Sequence, residues 1–143
     1  MFNKIQTSTE RLNAWRTVRQ QEYLTVEPLL EAFASIKPIP RYIDYYTPKD
    51  WPSVFEIVSE GYFCNSGITL ILAATLCHKG FITDDELYFE VISNHINGND
   101  GLVLIHNNLA YNFIPGKAVS MQEVINNSTR FISHKIESSS LFS

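Results

Sequence analysis

Cys64 and His106 are the two side chains in this 143-residue chain whose types and setting suit covalent chemistry. Cys64 stands in Gly61-Tyr62-Phe63-Cys64-Asn65-Ser66-Gly67, just before a long apolar stretch that reads as a helix. A thiol at a helix N-terminus meets the positive end of the helix dipole, which favours the nucleophilic thiolate. His106 falls on an expected strand and is the residue type that accepts a proton near neutral pH. The same cysteine has a plainer reading, since cysteine is among the most buried residue types. That plainer reading is preferred here, with Cys64 and His106 kept as the catalytic candidates.

Other constellations carry less. Cys64, Cys77, His78 and His95 lack the short cysteine spacing of zinc modules. Cys77 and His78 are adjacent, so on a helix they point about 100° apart. The stretch from Asn97 to Asp100 lacks the ligand alternation and closing acid of a calcium loop and reads as a turn. Glycine-rich phosphate loops, GxSxG and HExxH are absent. Neither a metal nor a cofactor is expected.

A cysteine at a helix start with a histidine on a following strand resembles the papain-like hydrolases, especially the NlpC/P60 group. In that group an aspartate precedes the cysteine and a Ser-Gly pair follows it. Here Phe63 takes the aspartate position, and Asn65 intervenes before Ser66-Gly67. Asn112 is the residue on offer as a third member. The resemblance implies a cysteine hydrolase using Cys64 and His106.

The elements that must position these residues are read from capping and periodicity. Capping-box spacing occurs at Thr7–Glu10, Thr47–Asp50, Thr83–Glu86 and Ser120–Glu123. Helices are expected near residues 8–22, 26–36, 48–59, 66–79, 84–93 and 121–135. The helix at 66–79 is apolar nearly all round, which marks it as the central buried one. Residues 41–46 are expected to be extended or irregular, or else a third strand. For 84–93 a strand reading of Leu-Tyr-Phe-Glu-Val-Ile stays open. The clearest β signal is a hairpin over 101–114 turning at Asn107-Asn108, because asparagine tolerates the positive φ of a two-residue turn. Pairing Ile105 with Ala110 puts Leu102, Leu104, His106, Leu109, Tyr111 and Phe113 on one face, to be covered by the last helix. The expected class is α+β and predominantly helical, with five to six helices and a C-terminal β-hairpin or small antiparallel sheet packed on them. Residues 1–137 form one domain in this reading, and 138–143 a frayed tail.

Composition shapes the functional expectation. The net charge is −4, and residues 50–100 carry one basic residue, Lys79, against eight acids. The order of elements from 66 to 114 fits a winged helix, but a recognition helix bearing Asp84, Asp85, Glu86 and Glu90 would be repelled by phosphate. Nucleic acid is therefore not the expected partner. With no apolar leader and no run of about 20 apolar residues, neither secretion nor a membrane is expected, and the cytoplasm is. The reading is a small acidic non-catalytic binding protein, of inhibitor, immunity or phage accessory type. Its alternatives are the cysteine hydrolase and a winged-helix-like module used for protein contact. Asp84, Asp85, Glu86 and Glu90 are the expected contact for a partner with a basic surface. Charge reversal at Asp85 and Glu90 is then expected to slow association and leave folding nearly intact. Oligomeric state is not readable.

Overall fold

The first half of the chain folds as four helices: α1 (Ser8–Gln20), α2 (Glu27–Ala34), α3 (Val54–Glu60) and α4 (Asn65–His78). The second half is a sheet of β1 (Leu87–Asn94), β2 (Asp100–His106), β3 (Leu109–Tyr111), β4 (Ala118–Ser120) and β5 (Ser128–Lys135), with α5 (Met121–Asn127) between the last two strands. The structure, a computed structural model, describes residues 2, 6–40 and 42–142. Arg41, in the stretch expected to be extended or irregular, and Ser143 of the tail lie outside the described residues. No helix among the described residues is long and apolar enough to cross a membrane.

All five strands pair antiparallel, in the order β4-β3-β2-β1-β5. This corrects the expectation of a mainly helical domain with a small hairpin. Within 84–93 the strand reading holds, with β1 starting at Leu87 after a turn at 84–86, and the expected last helix stops at Asn127. There Ser128 takes an extended backbone, φ −148° and ψ 161°, and the chain runs directly into β5. The expected helix at 48–59 is a short 3-10 turn, Pro48–Asp50, followed by α3. Residues 42–46 add no strand. The tail expected to fray forms a 3-10 turn, Ser138–Phe142, whose Leu141 is buried.

The hairpin has the expected register, Ile105 opposite Ala110. Its turn residues Asn107 and Asn108 sit at φ 49° and 63°, as a primed turn requires. The helix that covers it is α4, not the last one. Leu102, Leu104 and Tyr111 join the core cluster of α4, while Val103, Ile105, Ala110 and Phe113 pack with Val124 of α5 on the opposite face. Phe113 leaves the expected face because β3 ends at Tyr111 and Asn112 turns at φ 67°. Leu109, expected inside, is exposed.

Helix α4 is buried along nearly its whole length, from Ser66 to Leu76. Trp15 of α1 is fully buried and donates its indole N–H to Thr75 Oγ1 at 2.9 Å. Leu72 is 2% exposed, so Leu72→Ala should cost about 2–5 kcal/mol in urea unfolding. A cost below about 0.5 kcal/mol, typical of surface positions, would contradict that packing.

Candidate functional site

Cys64 is placed by a short relay of turns. Helix α3 ends at Gly61, whose φ of 75° only glycine adopts freely. The chain turns once more, with Cys64 N–H donating to Tyr62 O at 3.0 Å, and α4 begins. Cys64 is the N-cap of α4: its Sγ accepts from Gly67 N–H at 3.3 Å, the bond that serine or aspartate more often supplies. Its side chain is 4% exposed.

Hydroxyls of the first turns clamp α4 to β2. Ser66 Oγ accepts from Leu102 N–H at 3.3 Å, and Thr69 Oγ1 donates to Leu102 O at 3.1 Å. Gly101 therefore stands beside Ser66; a Cβ there would lie 3.5 Å from Ser66 Oγ and meet nothing else within 4 Å. Asn112 donates Nδ2–H to Thr69 Oγ1 at 2.7 Å, and so reaches the same helix turn. Tyr45 completes the wall. Its phenol is bonded to Ser66, and burial with Cys64, Tyr42 and Asp100 nearby raises it above the ordinary tyrosine range. A cavity of about 360 Å³ opens here, lined by Tyr45, Cys64, Asn65, Ser66, Asn99 and Asp100 among others.

None of the chain's four histidines is held at Cys64. His106 lies four residues past Leu102 along β2, about 13 Å farther on at strand rise. Its Nε2 accepts from Thr83 N–H, just beyond the far end of α4. The structure thus sets the two catalytic candidates, Cys64 and His106, at opposite ends of one helix. His78 ends α4, His95 bonds Thr129 and His134 bonds Tyr45 O. Cys77 is half-buried, and burial pushes its thiol up to about 11.

The acidic candidates divide. Asp84, Asp85 and Glu86 are exposed in the turn before β1, where Glu86 has φ 57°. Asp84 Oδ1 accepts from Ser138 N–H at 2.7 Å, which holds its carboxyl below the usual range and ties down the C-terminal turn. Glu90 is not a surface acid. It is 5% exposed and takes two bonds from Arg130, at 2.5 Å from Nε and 2.8 Å from Nη2. Its expected place in a solvent-facing acidic contact is therefore corrected: Arg130 of β5, far along the chain, meets it across the sheet. Sequence reasoning missed Tyr45, Asp100 and Gly101. Ser66-Gly67 beside the cysteine was the one local signal, and nothing in sequence links residue 45 or 101 to residue 64.

A helical layer on a five-stranded antiparallel sheet defines the class of fold, α+β. Legionella pneumophila LapG in its calcium-bound form has a similar fold, with TM-score 0.66 and 17% identity over 92% of this chain and 77% of that one. Two further LapG structures, one of them EGTA-treated, each give TM-score 0.64 and 17% identity over 89% of this chain; they are covered to 74% and, when EGTA-treated, 73%. At this identity the likeness is one of fold. No family model and no curated protein matches the chain.

Calcium sites gather six to eight oxygens, several of them carboxylate. Among the described residues no group of three or more His, Cys, Asp or Glu could hold a metal, and Asp100 is the one carboxylate lining the cavity at Cys64. The residues present do not fit a calcium centre, and no step is assigned to one.

Proposed function

We propose that this chain is a papain-like domain of the cysteine-hydrolase type whose working end is Cys64, and that it engages polypeptide there without turning it over. The supporting observation is position 101. The layout needs an imidazole on the strand beside the cysteine's helix turn; there β2 begins with Asp100, which lines the cavity with Cys64, and Gly101, which stands next to Ser66. A thiol nucleophile needs its base within about 2.6–3.2 Å. With His106 bonded to Thr83 N–H, Cys64 has a cap to make and no imidazole to call on. The fold shared with LapG supports the scaffold part of this reading.

Gly101→His tests it. The backbone at 101 is outside the left-handed region, and a Cβ added there comes to ordinary contact distance of Ser66 Oγ. The unaltered protein should alkylate slowly with iodoacetamide and leave peptide and ester substrates intact. Gly101→His should raise the alkylation rate about tenfold or more, along a pH profile that follows an imidazole. Hydrolysis by the unaltered protein that Cys64→Ser abolishes would overturn the non-catalytic part and return the chain to the hydrolases. An alkylation rate that Gly101→His leaves unchanged in a folded protein would overturn the assignment of position 101.

A further inference from the structure

Among the described residues, the trough at the Cys64 end contains a single formal charge. Two cavities meet there, sharing Asn65, Asn99 and Asp100 in their walls. The larger, about 360 Å³, falls in the range of ordinary ligand pockets. Its walls are amides, hydroxyls, a thiol and a few apolar groups, and the smaller cavity is lined by amides and apolar groups. Among the described residues Asp100 is the one ionised side chain lining either, and it forms no ion pair with another of them.

The nearby start of α4 brings about half a positive charge, against a whole negative one on Asp100, so the described lining is net negative. The Gly67 N–H is already taken by Cys64 Sγ, which leaves one fewer donor for an anion. Tyr45 stays neutral at physiological pH, because burial raises its phenol, and it offers an aromatic ring in the same wall. A lone carboxylate, a neutral aromatic ring and amide oxygens are what a cation needs for pairing, for cation–π contact and for hydrogen bonds.

We propose that this cavity seats the side chain of a lysine or arginine from a bound polypeptide, with Asp100 as its counter-ion and Tyr45, Asn65 and Asn99 around it. The assignment rests on the reading above that the Cys64 end engages polypeptide. It adds the specificity: a basic residue is preferred over a neutral one of the same length.

The experiment uses the full chain and a set of end-capped, fluorophore-labelled pentapeptides that carry lysine, arginine, norleucine or glutamate at the centre. Binding is read by anisotropy, and the place of binding by amide chemical shifts around Asn65, Asn99 and Gly101. Lysine and arginine peptides should bind about tenfold tighter than the norleucine peptide, an advantage that shrinks as salt rises. Asp100→Asn should remove that advantage without moving the unfolding midpoint, because Asp100 is exposed. Asp85→Asn, at a remote exposed acid, should leave it in place. Equal binding of basic and neutral peptides at these amides would sink the counter-ion role and leave the polypeptide reading standing. So would a basic preference that survives Asp100→Asn. No binding by any peptide of the set would overturn both.

Discussion

Replacing Gly67 by alanine should destabilise the protein by about 3 kcal/mol, at the upper end of what overpacking costs. At an ordinary helix position the same change is favourable, by about 1 kcal/mol, because alanine is the better helix former. The sign reverses here because an alanine Cβ would stand 2.4 Å from the backbone oxygen of Tyr62. That oxygen cannot yield cheaply: it already accepts from Cys64 N–H in the turn that sets the N-cap. The same Cβ would lie 3.5 Å from Cys64 Sγ. The variant should therefore lose stability and also displace the thiol, seen as faster alkylation of Cys64. For a chain this size the unfolding midpoint should fall by about 10 °C. A midpoint equal to or above that of the parent would show that the start of α4 is not held as described.

Glu90→Lys should be about as damaging, and it separates two views of the acidic middle of the chain. Breaking a buried ion pair costs about 3–5 kcal/mol when a charge is left without a partner. Glu90 is nearly sealed, whereas the Arg130 side chain keeps 42% of its surface in solvent. Arg130 can thus recover some hydration, and the expected cost is about 3 kcal/mol. Glu90→Gln keeps the shape and loses only the charged part of the bond, so about 1–2 kcal/mol is expected. Asp85→Lys, at an exposed turn, should stay within about 0.5 kcal/mol of the parent. Denaturant titration of the three variants orders them. A Glu90→Lys protein as stable as Asp85→Lys would place Glu90 back on the surface. The earlier expectation that reversing Asp85 and Glu90 together spares folding fails on the Glu90 half alone.

These two sites bear on function through position. Gly67 fixes where Cys64 sits. Glu90 and Arg130 tie β1 to β5 at the sheet edge, on the strand whose other neighbour, β2, carries Asp100 and Gly101 past the thiol. The chemistry available at Cys64 is set by what β2 presents there, a glycine and a carboxylate in place of an imidazole.

Local signals in the sequence determined a good deal. The capping box at Thr7 and Glu10, the all-round apolar α4 and the Asn107-Asn108 turn each depend on residues within a few positions of one another. Each forms as those residues dictate. Cys64 was legible as the start of a helix for the same reason. Tertiary structure decided the rest. Leu87, Phe89 and Val91 bury toward α4 while Ile92 buries toward α5, so β1 shows neither clean alternation nor a clean helical stripe. Its buried Glu90 looks like a solvent-facing acid until Arg130 arrives from β5. Residues 128–135 had helical spacing on paper, and pairing with β1 made them a strand. Whether Cys64 had a base was likewise undecidable along the chain. His106 and Gly101 lie on one strand, and only the clamp of Ser66 and Thr69 on Leu102 fixes which end of that strand lies at the start of α4. A strand advances about 3.3 Å per residue, so the five steps from 101 to 106 carry the imidazole to the other end of the helix.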